Sequence, residues 1–217
     1  ESVFMNVLHV CASPRPTEES VSKQLAIAFF TKLAELNPDV DVTNVDLYHN
    51  QPPYLSYDAY RSMWQPVIDP TYEVTDAEKK AAAYSTSQCK LFKEADVLVL
   101  TMPMWNCGVP AIMKAWLDQV MAPGQIFTYG PEGVKPEHAL RKVILLISSG
   151  AVFKENAPDD ALTIQIKAAM EYIGVTDIVT AWADGQDPVM HSDCTLRKSM
   201  AIEAAQEVAE EVATMTL

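Results

Sequence analysis

Apolar runs of strand length alternate with amphipathic stretches along the chain, and this alternation predicts the order of its elements. Residues 96–102 and 142–149 are apolar at nearly every position, which is typical of strands covered on both faces of a sheet. A similar run at 3–12 predicts the first strand. Residues 40–47 alternate between apolar and polar, which indicates a half-exposed strand, and a fifth strand is predicted near 176–183.

Helices are predicted between these strands, where apolar residues recur at helical spacing. An amphipathic stretch follows residues 17–20 and ends at Asn37-Pro38. The capping-box pattern at residues 75–78 opens a helix that runs to about residue 94. A further helix begins at Pro110 and places Met113 and Trp116 in the core, and two more helices are expected near 159–173 and 191–213.

Two long connections interrupt this alternation. Residues 48–72 form an insertion rich in Tyr, Trp and Pro, and a connection of this length in a compact domain is usually functional or partly helical. Tyr54, Tyr57, Tyr60 and Trp64 either line a channel or pack against a second subunit. Residues 122–140 form a second, Pro- and Gly-rich loop, in which His138 is expected to be exposed.

Five strands alternating with helices predict an α/β fold, a doubly wound parallel sheet of five strands in the flavodoxin-like order with helices on both faces. The length of 217 residues fits one domain with extensions, so a single domain over 1–217 is expected. Residues 1–4 precede Met5 and the core of the first strand, and they are expected to be a remnant outside the domain.

The charge balance excludes several classes of partner. The net charge is -13 and the sequence pI is about 4.6, whereas nucleic-acid binding and docking on anionic membranes both need a surplus of Lys and Arg. No apolar run approaches the roughly 20 residues that a bilayer span requires. The partners expected are therefore small molecules, with neither nucleic acid nor membrane among them.

The cysteines, histidines and glycines exclude further classes. The four cysteines and four histidines are scattered without metal-ligand spacing, so no metal site is predicted. Reduced thiols and the lack of a recognisable leader favour the cytoplasm. The seven glycines form neither G-x-G-x-x-G nor G-x-x-x-x-G-K-[ST], which excludes a Rossmann dinucleotide loop and a P-loop.

Ligands of a doubly wound sheet bind at the carboxyl ends of its strands, where three loops are expected to meet. The first loop, 13–22, carries the hydroxyls of Ser13, Ser20 and Ser22 beside a helix start, a combination that cradles a phosphate without glycine. The alternative is that Ser20 only caps the helix and Arg15 faces solvent.

The other two loops follow the two buried strands. In residues 103–109, Trp105 and Asn106 are suited to flank a planar heterocycle; the alternative is a Trp packed on the next helix. In the loop at 148–156, the small residues 148–151 let a ligand edge approach, or they form an ordinary strand-to-helix turn.

At these loops the chain resembles the FMN-dependent NADH azoreductase and NAD(P)H:quinone oxidoreductase family, which has a flavodoxin-like fold. The family carries an S-x-S loop, a P-M-Y-N-F-type loop, an A-G-x-T-F-x-Y stretch followed by G-P-E-G-L, and an S-R-G-G-type loop. The counterparts here are Ser20-Val21-Ser22, 103–107, 123–129 with 130–134, and 148–151, and the similarity continues through 172–177. It thus spans nearly the whole chain, and the G-P-E-G stretch is its most specific part.

The resemblance implies non-covalent FMN, with NADH or NADPH as electron donor and a quinone, azo or nitro compound as acceptor. It implies a phosphate at the serine loop, residues 104–107 along the isoalloxazine, and residues 148–151 at its pyrimidine side. The implied cofactor-binding residues are Ser13, Arg15, Ser20, Val21, Ser22, Pro103, Met104, Trp105, Asn106, Cys107, Ser148, Ser149, Gly150 and Ala151. It also implies a homodimer with interface sites, where Phe127 and Tyr129 of a flap over 122–140 cover flavin or substrate.

The chain departs from the family pattern at several positions. Trp105 replaces Tyr, Cys107 replaces Phe, and Ser149 and Ala151 replace Arg and Gly. We therefore expect the flavin pocket to be kept while its substrate face and reduction potential differ. Cys107 is either a redox-active thiol or a small packing residue.

The family chemistry implies two-electron, ping-pong turnover in which the flavin carries the hydride and no protein acid or base is required. Three alternatives remain open. The protein is a flavin reductase that supplies reduced FMN to a partner, a non-enzymatic flavodoxin-like electron carrier or redox sensor, or a family member that has lost the flavin. The length of the loop at 122–140 and the aromatic insertion favour an enzyme over a carrier, because both would cover the site.

Overall fold

The computed structural model describes residues 4–216, and its centre is a five-stranded parallel sheet. The strands in chain order are β1 (Asn6–Cys11), β2 (Asp41–Asp46), β3 (Val97–Pro103), β4 (Phe127–Gly130), β5 (Gly133–Pro136), β6 (Lys142–Ser148) and β7 (Ile178–Ala183). The sheet has the order β2-β1-β3-β6-β7, and β4 and β5 form a separate antiparallel hairpin. The predicted flavodoxin-like α/β fold is confirmed. Residues 1–4 were expected to be an N-terminal remnant that precedes the first strand. Residues 1–3 of this segment lie outside the described residues.

Helices cover both faces of the sheet. They are α1 (Val21–Leu36), α2 (Tyr57–Ile68), α3 (Asp76–Ala81), α4 (Ala83–Glu94), α5 (Ala111–Val120), α6 (Ala161–Tyr172) and α7 (Cys194–Ala213). Within residues 4–216, no helix is both long and apolar enough to cross a membrane.

Each face of the sheet forms its own apolar core. Along β3, Val97 and Val99 pack with residues of α1 and α7, while Leu98 and Leu100 pack with residues of α4, α5 and α6. All four side chains are fully buried. The continuous apolar run of this strand therefore reflects burial on both faces, as expected for a central parallel strand.

Two predicted elements differ in detail from the structure. The helix expected over 75–94 is interrupted at Ala82, which separates α3 from α4, although the capping box between Thr75 and Glu78 is present. The predicted core positions of Met113 and Trp116 are confirmed, since both are fully buried, and the Trp116 indole donates to Gln88 Oε1 over 2.9 Å.

The insertion and the Pro/Gly-rich loop contain regular structure and touch each other. Residues 48–72 hold α2, and residues 122–140 hold the β4–β5 hairpin. The ring centroids of Trp64 on α2 and Tyr129 on β4 are 5.9 Å apart, and the Tyr129 and Tyr172 hydroxyls are hydrogen bonded. These contacts join α2, the hairpin and α6.

The expectation that His138 is exposed was wrong. Its ring is half-buried, it packs edge-on against Phe92 at 5.8 Å, and its Nε2 lies 3.0 Å from the Ile173 carbonyl. Burial lowers the pKa of this imidazole. The side chain therefore anchors the end of the loop to the core.

An ion pair holds the insertion on α3. The Arg61 guanidinium donates to Glu78 Oε1 at 2.8 Å and to the Tyr72 hydroxyl at 2.8 Å, and Glu78 Oε2 also accepts from the Thr75 N–H. The hydrogen bond from Arg61, together with that from Thr75, lowers the pKa of the Glu78 carboxyl to about 2. The carboxylate is 4% exposed, so its charge depends on these partners.

We predict that Glu78→Gln lowers the urea midpoint of unfolding at pH 7. Because the folded-state pKa of Glu78 lies below the ordinary value of 4.5, the stability it contributes is present above that value and is lost as the pH falls toward 2. The difference between wild type and variant should therefore shrink over this interval. Glu73→Gln, at an exposed position, is the control and should leave the midpoint unchanged. A difference that is constant between pH 7 and pH 2.5 would contradict this assignment.

Candidate functional site

Three main-chain hydrogen bonds bring the loops at the carboxyl edge of the sheet together. Ala12 N–H donates to the Thr101 carbonyl at 2.9 Å, Met104 N–H to Ser148 at 2.7 Å, and Ser149 N–H to Ala183 at 3.0 Å. These bonds continue the ladder past the ends of β1, β3 and β6. The first residues of each loop are therefore held at strand spacing, about 4.8 Å from their neighbours.

The loops line one cleft with a volume of about 320 Å³. Its walls come from the loops after β1, β3, β6 and β7, namely from Ser13, Arg15, Glu19, Ser20, Val21, Pro103, Met104, Trp105, Ser148, Ser149, Gly150, Gln186 and Asp187. Most of the residues predicted to bind a cofactor thus lie around one volume. Their role in binding stays a prediction.

The remaining predicted residues lie beside this cleft or away from it. Ser22 is fully buried behind Ser20, and Ala151 accepts a hydrogen bond from Gly185 N–H through its carbonyl. Asn106 and Cys107 form an exposed turn after Trp105. Phe127 and Tyr129 do not line the cleft: Phe127 is buried in the core, and Tyr129 is 44% exposed.

A chain of three buried serine hydroxyls lies at the N-terminus of α1. Ser13 Oγ and Ser20 Oγ are 2.9 Å apart, and Ser20 Oγ and Ser22 Oγ are 3.3 Å apart. Three hydroxyls carry three protons and these two links use two of them, so one donor remains for a further acceptor. Ser20 also caps the helix by accepting from the Lys23 N–H at 3.4 Å. Ser20 therefore caps the helix, and this cap leaves room for an anion at the same helix start.

Main-chain donors add to this chain. The first-turn N–H groups of Val21 and Ser22 have no acceptor within the described residues, as is normal for a helix start. The positive end of the helix dipole favours an anion here. Arg15, expected either to bind the phosphate or to face solvent, has a 61% exposed side chain that lies 3.9 Å from Glu19.

Trp105 is held at the cleft by a two-residue hairpin turn. Trp105 and Gly108 exchange two main-chain hydrogen bonds of 3.1 Å, and φ is 50° at Asn106 and 63° at Cys107. Positive φ at both central residues is the primed type I geometry, which favours Asn first and Gly second. Cys107 therefore occupies a position where a side chain is strained. The Ala161 N–H donates to its carbonyl at 2.9 Å and fixes the turn to the start of α6.

The loop after β7 contributes residues that the sequence did not predict. Gln186 and Asp187 line the cleft, and the N–H groups of 185–187 donate to the carbonyls of Ala151, Ser149 and Gly150. Glu19 was also missed. These residues belong to no recognisable motif, and the available signal was that 184–187 follows a fifth strand ending at the same edge as the others.

Two other cavities are larger than this cleft. A volume of about 570 Å³ between α1 and β2 is mainly apolar and lies along the helix, away from the loops after β3 and β6. A volume of about 430 Å³ is lined by Trp105, the first turns of α5 and residues of the insertion, including Tyr54, which is 84% exposed. Of these three cavities among the described residues, the 320 Å³ cleft is the one lined by the serine hydroxyls at the start of α1 together with the loops after β3, β6 and β7. It is therefore the candidate cofactor site.

A five-stranded parallel sheet of the order β2-β1-β3-β6-β7, with a serine-capped helix start after its first strand, is typical of a flavodoxin-like protein. Comparison with known proteins agrees, since a family model described as "Flavodoxin-like fold" matches residues 5–209. FMN-dependent NADH:quinone oxidoreductase 1 of Bacillus licheniformis is 34% identical over 186 residues, covering 84% of this chain and 88% of the relative. The Bacillus subtilis protein of the same name is 33% identical over 184 residues, covering 83% and 87%.

Solved structures give the same result. The crystal structure of azoreductase AzrA superposes with a TM-score of 0.84 at 27% identity and covers 95% of this chain and 99% of that one. An azoreductase from Bacillus anthracis strain Sterne gives the same TM-score and identity, with coverage of 96% and 100%. The chain therefore belongs to the flavodoxin-like family of FMN-dependent NADH:quinone oxidoreductases and azoreductases, which confirms the resemblance drawn from its motifs.

We predict that Cys107→Gly stabilises the protein by about 1 kcal/mol, because Gly adopts positive φ without the penalty that a side chain incurs there. Urea unfolding of the variant beside wild type measures the change. Cys194→Gly is the matched control. Because Cys194 begins α7 and lies outside such a turn, this substitution should lower the free energy of unfolding. Loss of stability in Cys107→Gly would show that the thiol makes a packing contribution larger than the backbone strain.

Proposed function

We propose that this protein is an FMN-dependent oxidoreductase that takes electrons from NADH or NADPH and reduces quinone, azo or nitro compounds. The observation that carries the proposal is the chain of three buried serine hydroxyls with one unused donor at the start of α1. It lies at one end of a cleft that opens along the carboxyl edge of the sheet. The names of the curated relatives support the cofactor, the donor and the quinone acceptor.

The residues present fit FMN. A phosphate at the serine chain would accept from a hydroxyl and from the unpaired N–H groups of Val21 and Ser22. All of these donors are neutral, which suits an anion in a chain of net charge -13 because they need no counter-charge. The cleft volume of about 320 Å³ lies within the range of small-molecule sites, about 300–1,000 Å³.

The loops after β3 and β6 would hold the ring system. Trp105 and Met104 form one wall, and Ser148, Ser149 and Gly150 form the other. The Gly150 N–H has no acceptor within the described residues and is available to a ring oxygen or nitrogen. Bound FMN would supply the two-electron chemistry, while the protein supplies binding and orientation. We propose that donor and acceptor use the same open side of the cleft in turn, which gives ping-pong kinetics.

Apo-protein titrated with FMN and with riboflavin tests the phosphate site. Ser20→Ala removes the central hydroxyl of the chain, so we expect the Kd for FMN to rise about tenfold. The Kd for riboflavin, which lacks the phosphate, should change less than threefold. Ser87→Ala, whose hydroxyl bonds only the Tyr84 carbonyl on α4, is the control and should match wild type. Equal losses for both flavins would place the phosphate elsewhere.

The FMN-loaded protein tests the activity. Anaerobic NADH or NADPH should bleach its visible flavin bands, and a quinone should restore them. Initial rates at several fixed quinone concentrations should give parallel double-reciprocal lines, as ping-pong turnover requires. Turnover that depends on added free FMN would instead indicate a flavin reductase, and a protein that binds no FMN would refute the proposal.

We also propose that the protein acts as a homodimer. The insertion presents Tyr54, Tyr57 and Tyr60 at 84%, 71% and 46% exposure, and large apolar groups clustered on a surface are typical of interfaces. The sequence left two roles open for these residues, lining a channel or packing against a second subunit. Tyr54 borders the 430 Å³ cavity, which suits the first role, while Tyr57 and Tyr60 do not line it and are proposed to form the subunit contact. The predicted cytoplasmic location stays a prediction.

Sedimentation equilibrium should give a mass of twice the 24.0 kDa chain. Tyr57→Glu places a charge in the proposed contact and should weaken the dimer at least tenfold. Ile27→Glu is the control, because Ile27 is 53% exposed on α1 and is not part of the insertion. A monomeric wild type at micromolar concentration would contradict the proposal.

A further inference from the structure

A carboxylate lies in the cleft on the loop after β7, whereas the serine chain belongs to the loop after β1 and the start of α1. Asp187 follows β7, which is separated from β1 by three strand spacings, or about 14 Å. Its N–H donates to the Gly150 carbonyl at 3.1 Å, and a Cβ built on Gly150 would lie 3.6 Å from the Asp187 Cβ. Its Oδ1 accepts from the Val189 N–H at 2.8 Å, and no partner of Oδ2 occurs within the described residues. The carboxylate is thus fixed beside the 148–151 loop.

No ion pair of Asp187 occurs within the described residues, and Arg197, which packs against the neighbouring Gly185, pairs instead with Asp184 and Asp193. Ser149 stands where the family pattern carries Arg. Its hydroxyl proton is donated to the Ala151 carbonyl, and its Oγ accepts from the Trp182 indole, each over 2.9 Å. Arg15, the cationic residue of the cleft wall, belongs to the loop after β1 and pairs with Glu19. The end of the cleft formed by β6 and β7 is therefore negative.

We propose that Asp187 lowers the reduction potential of the FMN bound in this cleft. This inference rests on the proposed function, which places the phosphate at the serine chain and the ring toward β6. Electrons added to the ring increase its negative charge, and a nearby carboxylate in a partly buried site opposes that increase. The phosphate charge does not change on reduction, so Glu19, directly before Ser20 on the phosphate loop, is expected to affect both oxidation states alike.

The quantity to measure is the ratio of the Kd for reduced FMN to the Kd for oxidised FMN, obtained from titrations of apo-protein and from the potential of the bound flavin. For Asp187→Asn we expect this ratio to fall about tenfold, a rise in potential of about 30 mV for a two-electron couple. The Kd for oxidised FMN should change less than threefold. The side-chain oxygen of Asn can still accept from the Val189 N–H, so this hydrogen bond is preserved. Asp187→Ser is a second uncharged variant, whose hydroxyl can also accept from that N–H.

Two control variants separate this effect from general charge removal. Asp39→Asn removes one charge at the turn before β2, at the opposite edge of the sheet, and should leave the ratio unchanged. Glu19→Gln should tighten FMN in both oxidation states and leave riboflavin binding unaltered. A ratio that changes less than twofold in both Asp187 variants, or that changes equally in Asp39→Asn, would overturn the inference. Wild type that binds no FMN would instead refute the proposed function itself.

Discussion

Three main-chain hydrogen bonds continue the parallel ladder beyond the ends of β1, β3 and β6, and the geometry of the cleft depends on them. They join Ala12 to Thr101, Met104 to Ser148, and Ser149 to Ala183. The first residue of each loop is thereby hydrogen bonded to the neighbouring strand, so its position relative to that strand is fixed. The bonds themselves depend on strands that are apolar on both faces, because burial of a strand face specifies the register of its ladder.

The same constraint leaves polar main-chain groups facing the cleft. A chain that leaves a ladder to enter a helix has N–H groups without internal acceptors, as Val21 and Ser22 show at the start of α1. Such donors carry partial charge without an ionised side chain. In a protein of net charge -13, they allow an anion to bind without a local excess of Lys and Arg. The serine hydroxyls extend this set of donors inward, where they remain buried and ordered.

The fold was predictable because it is encoded in long apolar runs such as 97–102, which have one simple explanation. The loops lining the cleft followed from the fold, since carboxyl ends of parallel strands meet at one edge. Prediction failed where tertiary contacts decide the outcome. The insertion at 48–72 was expected to be functional or partly helical, but the bounds of α2 were not predicted, because this helix contains Pro66 and is held by the Arg61–Glu78 pair. His138 sits in a polar stretch, and its burial depends on Phe92, distant in sequence.

Asp187 was missed for a related reason. No motif marks it as a cleft residue; the sequence indicates only that it follows the fifth strand, and its exact position follows from the pairing of 185–187 with 149–151 across the edge of the sheet. Two side chains at that edge carry the proposed effect: Ser149 stands where the family pattern has Arg, and the carboxylate of Asp187 lies beside the same loop. Neither side chain alters the main-chain hydrogen bonds that form the cleft. In our proposal, the fold determines where the cofactor would lie, while side chains that the fold does not constrain determine how readily it would accept electrons.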